Sequence, residues 1–367
     1  MKITVVRPSD LGDAELKRWR DIRTSHRDLA NPFLAPEFTL GVGRFRDTVR
    51  VAVVENGSGV AAFFPYERGP LGTGRPVGAG LTDLQGLVAP PGLHLNARAL
   101  LRACGLGVWD FDHLLAHQPA FAPFHRARRS EPVMDLSGGF AAFEDGLRRG
   151  APKTHKTIRY KERKLGRDVG DVTYAFSSAS AADLDRLMGW KSGQYHRTGR
   201  TDRFARPWIV ALVRHFHETG FGVLSVLSAG GEPVSMHFGL RDGHVMAGWF
   251  PAYDTRFGRY SPGMIGHLRL AEGCAAHGVT EIAMGRGGKE FKEGFKGREI
   301  PIAEGRVARV TAAAGLHWAR TAPLNRARGA VLDHPALYRC ADQVLRTYAR
   351  LRPGAGGRRD GGGGRAS

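Results

Sequence analysis

The chain has 367 residues, 42% of them hydrophobic and 24% charged, and its 54 Lys and Arg against 35 Asp and Glu give a net charge of +19. These are the proportions of a globular protein long enough for two domains of ordinary size with a buried core. No apolar run approaches the ~18 residues of a membrane-spanning helix, and Met1-Lys-Ile-Thr-Val-Val6 runs straight into a strand-like pattern without the apolar core of a signal peptide. Cys104, Cys274 and Cys340 lie far apart and in no CxxC arrangement, so neither a disulfide framework nor a metal site is expected. A cytoplasmic protein is expected.

In chain order, Val49–Val54 and Val60–Tyr66 read as strands joined at the Asn56-Gly57 turn. Trp109–Leu115 and Val133–Leu136 are further strands, and residues 136–165 read mainly as helix, including Phe140–Arg149. A helix over Lys153–Arg167 puts Lys156, Arg159, Arg163 and Arg167 on one face. That face is either simply solvated or a rail for the phosphates of a nucleotide, a lipid pyrophosphate or a transfer RNA. Strand Val172–Phe176 and helices Ala181–Tyr195 and Pro207–Thr219 precede a meander of Gly222–Leu227, Pro233–Leu240 and His244–Phe250. Helix Pro262–His277 carries Ile265, Leu268, Ala271 and Ala275 on an apolar face and stops at Gly278. Strand Val279–Met284, the glycine-rich Gly285–Gly288 and the cationic Lys289–Lys296 follow. The organisation read from this is an N-terminal lobe at 1–135, a C-terminal lobe at 136–310, appended helices at 311–352 and a disordered tail at 353–367. Both halves offer a meander plus helices, a weak internal repeat.

The run Trp249-Phe-Pro-Ala-Tyr-Asp254, then Arg256-Phe-Gly-Arg-Tyr-Ser-Pro-Gly263, is the most informative. It reads as a buried strand breaking into a basic loop that opens a helix, with Ser261 as N-cap before Pro262. Such a terminus presents bare amides and the positive end of the helix dipole. With Arg256, Gly258, Arg259, Ser261 and Gly263 around it, a phosphorylated group is the natural occupant. The alternative is an ordinary strand–turn–helix with a solvated basic loop. The stacking motifs of dedicated RNA modules are absent, which tells against a generic nucleic-acid binder.

Strand, phosphate-facing loop, helix, strand and cationic turn, in that order, resemble the core of the Gcn5-related N-acetyltransferase (GNAT) superfamily. Leu81-Thr-Asp-Leu-Gln-Gly86, Trp109-Asp-Phe-Asp-His113, Lys161-Glu-Arg-Lys-Leu165, Trp190-Lys-Ser-Gly-Gln-Tyr195 and Pro233-Val-Ser-Met-His-Phe238 extend the likeness. The ordered series resembles the CelD/BcsL-like acetyltransferases of cellulose biosynthesis, a branch related to the FemAB-type aminoacyltransferases. Two departures stand out: Ala283 occupies a slot where the family usually has Asp, and Arg256–Gly263 does not reproduce the Arg/Gln-x-x-Gly-x-Gly donor loop.

The resemblance implies an α/β (α+β) fold of tandem GNAT-like lobes, with mixed, mostly antiparallel sheets flanked by helices. It implies acetyl-coenzyme A, or another acyl-coenzyme A, as co-substrate, its carbonyl held by main-chain amides beside the strand His244–Phe250. Asp254 would accept the nucleophile's proton, unless it caps the basic loop or pairs with Arg256. Tyr253 would protonate the leaving thiolate, unless it is a satisfied buried ring. Lys292 would reach a phosphate or an oxyanion, or else lie idle on the surface. Lys191, Gln194 and Tyr195 would line the acceptor groove, with Asp83 as an acceptor contact or a plain turn residue. His237 reads as a core histidine unless its strand turns it toward the groove.

The function expected is acyl transfer to an amino or hydroxyl group on a sugar, nucleotide-sugar or lipid-linked saccharide, in a cellulose or exopolysaccharide context. An aminoacyltransferase using charged transfer RNA and a degenerate accessory of a polysaccharide synthase are the alternatives. The basic C-terminus offers a further contact with an anionic membrane surface, placing the protein at the inner face of the membrane.

Overall fold

The computed structural model describes residues 1–311 and 314–315, apart from 79 and 287–289. The chain opens with β1 (Lys2–Val6), α1 (Asp13–Arg23) and α2 (Pro36–Phe45), then the hairpin β2 (Val49–Asn56) and β3 (Gly59–Arg68). The short β4 (Thr73–Arg75), α3 (Ala97–Ala103), β5 (Val108–Leu115) and β6 (His125–Asp135) complete the first half. Helices α4 (Gly139–Gly150) and α5 (Pro152–Val169) lead to β7 (Val172–Ala175), α6 (Ala181–Arg197) and α7 (Pro207–Glu218). The meander β8 (Gly222–Ala229), β9 (Glu232–Asp242) and β10 (Val245–Tyr253) is followed by a 3-10 turn at Thr255–Tyr260 and by α8 (Pro262–Ala276). Strand β11 (Glu281–Ala283), α9 (Glu290–Phe295) and β12 (Arg298–Ala308) close the described chain.

Most elements named from the sequence recur here with shifted ends, because their periodicity and turn residues are local signals. The helical stretch expected over 136–165, with Phe140–Arg149 and Lys153–Arg167 within or across it, is the two helices α4 and α5. Ala151, at φ −140° and ψ 62°, leaves the helical region before Pro152, whose ring disfavours the α conformation in the residue ahead of it. Strand β6 begins at His125, well ahead of the expected Val133. The helices expected at 311–352, the tail at 353–367 and Cys340 lie outside the described residues, save 311 and 314–315.

The strands of the described residues form one twelve-stranded sheet in the order β1-β2-β3-β4-β5-β12-β6-β11-β10-β9-β8-β7. Pairings are antiparallel except β4 with β5 and β10 with β11. The fold is thus a mixed α/β one with a mostly antiparallel sheet. Strand β12 crosses back to lie between β5 and β6, while β6 pairs with β11 beyond the 135 boundary. The two halves therefore share one sheet.

Alternation decides the layers: in β2, Val51 and Val53 face one side and Ala52 and Val54 the other. On the first side a single core runs across both halves, from Trp19 and Phe38 on α1 and α2 to Leu187 on α6 and Leu212 on α7. The opposite side carries two separate cores. One lies under α4, α5 and α8 and includes Leu147, Ile158 and Leu268; the other gathers Leu100, Trp109 and Phe121 in the first half.

Candidate active site

Parallel β10 and β11 pair only over Val245↔Glu281, Met246↔Ile282 and Ala247↔Ala283. Beyond that point β10 runs on along β9 to Tyr253, with a register shift between Gly248 and Phe250. Among the described residues its opposite edge there pairs with no strand, so backbone groups face an opening. Backbone N–H and C=O groups demand partners, and an unpaired edge at a sheet opening is a place for a ligand to supply them. The β11 side turns away: the Met284 N–H donates to Pro132 O (3.0 Å) and the Gly285 N–H to Glu131 Oε1 (3.0 Å). The first half contains a similar divergence between β3 and β5, but its own chain fills it. Val88 bonds to Phe63 in both directions (2.8 and 2.9 Å), and Gln85 bonds to His113 and Leu115 (both 2.9 Å). The open cleft belongs to the second half.

Helix α8 starts past the end of β10. Ser261 sits at the N-cap position, but in the left-handed region (φ 53°, ψ 51°) and without a side-chain cap bond. The expected serine cap is corrected: the residue shapes the turn with its backbone, at a cost of roughly 1–2 kcal/mol for a side chain in that region. The Gly263 N–H makes no hydrogen bond among the described residues, and a side chain at Gly258 would meet nothing within 4 Å. A Cβ on Gly263 would lie 3.6 Å from the Tyr253 ring. The N-terminus of α8 is thus open to a phosphate. Arg259 stacks over the Tyr260 ring at 4.7 Å, and its carbonyl is held by Lys161 of α5. Arg256 bonds to Asp254 Oδ2 and to Glu232 (3.3 Å), so its charge is already met.

Asp254 caps this loop: Oδ1 accepts the Arg256 N–H (2.9 Å) and Oδ2 its Nε–H (2.9 Å). The hydrogen bond from Arg256 holds its carboxyl below the usual range. Tyr253 and Asp254 stand five or more residues past the opening, about 16 Å along the strand at ~3.3 Å per residue. They are neighbours of the α8 terminus and lie far from the point where β10 leaves β11.

A different group gathers there. The carbonyls of Met284 and Gly285 accept bonds from Lys292 Nζ (2.8 and 2.9 Å). Gly285, at φ 71°, packs its Cα so close to Asp83 that an added Cβ would lie 2.5 Å from Oδ2. His113 Nε2 stands 3.8 Å from Asp83 Oδ1. Trp249, at the β10 irregularity, donates Nε1–H to Leu81 O (2.9 Å) and so fastens the Asp83 turn to the opening strand. Burial raises the Asp83 carboxyl against the lowering pull of His113 and Lys292, yet a third of its side chain stays exposed. It therefore stays accessible from the opening beside β10. Glu131, 1% exposed, has Oε2 without a partner among the described residues. Burial and the nearby Asp83 push it up to about 8. Each carboxylate near the other disfavours a second negative charge there.

On the side of α6, Lys191 Nζ donates to Pro251 O (2.9 Å) and lies 5.5 Å from the centre of the Tyr195 ring. Burial raises the Tyr195 hydroxyl, with Arg203 and Asp83 among its electrostatic neighbours. Gln194 Oε1 is buried without a partner among the described residues. These three reach the cleft from the face opposite α8. His237 turns toward α8: a Cβ at Gly248 would lie 3.1 Å from its Nε2, and the His267 ring is 6.2 Å away. Burial drops it to about 3, so it is neutral, and its Nδ1 has no partner among the described residues.

The cationic face of α5 is not one surface. Lys156 is exposed, but Arg159 turns inward onto Glu144 (2.6 Å) and Glu162 (3.0 Å), and Glu162 also takes Arg269 of α8 (2.6 Å). Arg159 joins α4, α5 and α8, and leaves the expected phosphate rail. Glu131 was missed because the expected strand began two residues after it; a lone acid ahead of Pro-Val-Met was the available signal. A second cluster, His26, Asp28 and His117, has ligand-type atoms within 4.8 Å. Arg298 already holds Asp28 (3.0 Å), and His26 Nδ1 accepts the Asp28 N–H (3.2 Å), so these donors suit a cation poorly.

Residues 152–293 match the model of the acetyltransferase (GNAT) domain. The chain carries a GNAT domain. That segment is an acyltransferase domain of the GNAT type, a family that uses acyl-coenzyme A donors. The matched segment spans α5 to α9 and includes both the β10–β11 opening and the α8 terminus. The crystal structure of FemX is similar in fold, with a TM-score of 0.57 at 10% identity over 83% of this chain and 96% of that one. The C-terminal domain of a putative lysylphosphatidylglycerol synthetase from Agrobacterium fabrum aligns at 15% identity over 84% and 97% of the chains, TM-score 0.48. A tandem GNAT protein from the clavulanic acid biosynthesis pathway aligns at 12% identity over 84% and 98%, also at 0.48. No curated protein matches in sequence. Among the described residues no helix is long and apolar enough to cross a membrane.

Proposed function

We propose that this GNAT domain transfers an acyl group from a coenzyme A thioester to an amine or hydroxyl, with Asp83 as the general base. The observation that carries this reading is the cleft itself: β10 leaves β11 after Ala247↔Ala283, with the open α8 terminus at one end and Asp83, Glu131 and Lys292 at the other. The donor supplies an activated carbonyl and a thiolate leaving group. The Gly263 N–H and the dipole of α8 receive its pyrophosphate. Unpaired main-chain amides of β10 beyond Ala247 meet the carbonyl oxygen as negative charge develops there. Asp83 takes the proton from the attacking amine or hydroxyl. Lys292 holds the Met284–Gly285 carbonyls in place and keeps a positive charge near both carboxyl groups.

On this reading the acceptor enters between α6 and the Asp83 turn, past Lys191, Gln194 and Tyr195. A polar cleft of this kind fits a hydroxylated acceptor, and a saccharide or nucleotide-sugar of exopolysaccharide synthesis is the class we infer. The exposed Lys156, Arg163 and Arg167 on α5 favour a second reading, in which the donor is an aminoacyl-transfer RNA.

Calorimetric titration of acetyl-coenzyme A tests the donor. Binding is expected for the wild type, weakening in Arg259→Ala and abolished in Gly263→Trp, whose indole fills the helix terminus beside Tyr253. A folded wild-type protein that does not bind the thioester overturns the coenzyme A reading and favours the transfer RNA one.

A further inference from the structure

Where α2 of the first half meets α7 of the second lies a hollow of about 790 Å³. Such a volume is within the range, about 300–1,000 Å³, that holds small organic ligands. Its aromatic wall is continuous. Phe45 meets His215 (5.9 Å), His215 meets Phe216 (5.8 Å) and Phe216 meets Phe221 (5.1 Å).

The charges around this wall are uneven. Arg7, Arg44, Arg46 and Arg50 line it against Glu37 and Asp47. Glu37 is already taken by Arg20 (2.7 Å), and Arg46 by Glu67 (2.8 Å). One Arg50 nitrogen is fastened to the Asp47 and Val49 carbonyls (2.5 and 2.7 Å). Arg7 and Arg44 are exposed and have no carboxylate partner among the described residues. Burial, and then the proximity of Arg44, lowers the His215 imidazole below its ordinary value. An apolar wall edged by two uncommitted guanidinium groups complements a molecule with an apolar body and an anionic head.

We propose that this hollow binds an amphiphilic anion, its apolar part against Phe45, His215 and Phe221, which Phe216 backs, and its phosphate or carboxylate on Arg44 and Arg7. The site is separate from the acyl-transfer cleft and does not depend on the reading of that cleft. The test is calorimetry on the full chain with decyl phosphate below its micelle concentration, and with decanol and inorganic phosphate as partial probes. Decyl phosphate is expected to bind at least ten-fold more tightly than either partial probe. The Arg7→Glu/Arg44→Glu variant, altered at two exposed positions, is expected to lose at least ten-fold in that affinity with an unchanged melting temperature. Decanoate binding with the same dependence would give the head as any anion; equal binding of decanol, or of inorganic phosphate, would overturn the proposal. So would decyl phosphate affinity unaltered by the double substitution.

Discussion

Replacing Glu131 by Gln tests the buried carboxyl pair without needing a substrate. Its carboxyl is pushed from 4.5 to about 8, chiefly by burial and then by Asp83. The folded protein therefore holds this proton more tightly than the unfolded chain does. Stability from this group is complete below about pH 4.5 and is lost as pH rises toward 8, with a slope of up to ~1.4 kcal/mol per pH unit. Integrated, the ionisable group costs about 1 kcal/mol at pH 5, about 3 at pH 7 and about 4 at pH 8. Glutamine keeps an oxygen for the Gly285 N–H and cannot ionise. Its own burial adds an offset that does not vary with pH. Urea unfolding followed by tryptophan fluorescence at pH 5, 6, 7 and 8 would give both stabilities. The advantage of Glu131→Gln over wild type is expected to grow by about 3 kcal/mol across that range. A difference that stays level to within ~1 kcal/mol would refute the reasoning and place Glu131 in a wetter or better-paired setting than its orphaned Oε2 indicates.

Other outcomes follow from particular contacts. Asp83→Asn is expected to lower kcat for acyl transfer about 10²- to 10⁴-fold with little change in donor KM, measured by thiol release. The rising limb of the wild-type pH–rate profile should lie above the ordinary range of an aspartate, because burial raises Asp83. Trp249→Phe removes the bond to Leu81 O and should cost ~1 kcal/mol of stability while raising the acceptor KM as the Asp83 turn loosens. Glu162→Ala leaves Arg159 and Arg269 without a shared partner and should cost about 3 kcal/mol in urea unfolding, against less than ~0.5 for Lys156→Ala. Gly41→Ala sets a Cβ 2.2 Å from the Phe216 ring and should lower stability by ~1–3 kcal/mol, seen as a fall in melting temperature.

The features legible in the sequence are those that neighbours along the chain decide. Asn56-Gly57 lies at the bend of the β2–β3 hairpin, and the alternation of β8 to β10 marks the meander. Gly278 ends α8 at φ 75° because a side chain there would be strained. The order of strand, loop and helix around Ser261-Pro262 identified the GNAT core, since each signal lies within a few residues of the next. The chemistry at the opening depends on groups distant in sequence. Asp83 comes from a first-half turn, Glu131 from β6 and Lys292 from the segment after β11, and they meet because β6 pairs with β11 and Trp249 ties down Leu81. Nor does helical spacing say which cations stay in water: Lys156 and Arg159 share a face by count, yet carboxylates on α4 and α5 draw Arg159 inward. Local sequence thus determined the elements and their order. Long-range strand pairing and burial, which act only once the chain has closed on itself, decided which side chains share a site and which of them are free to act.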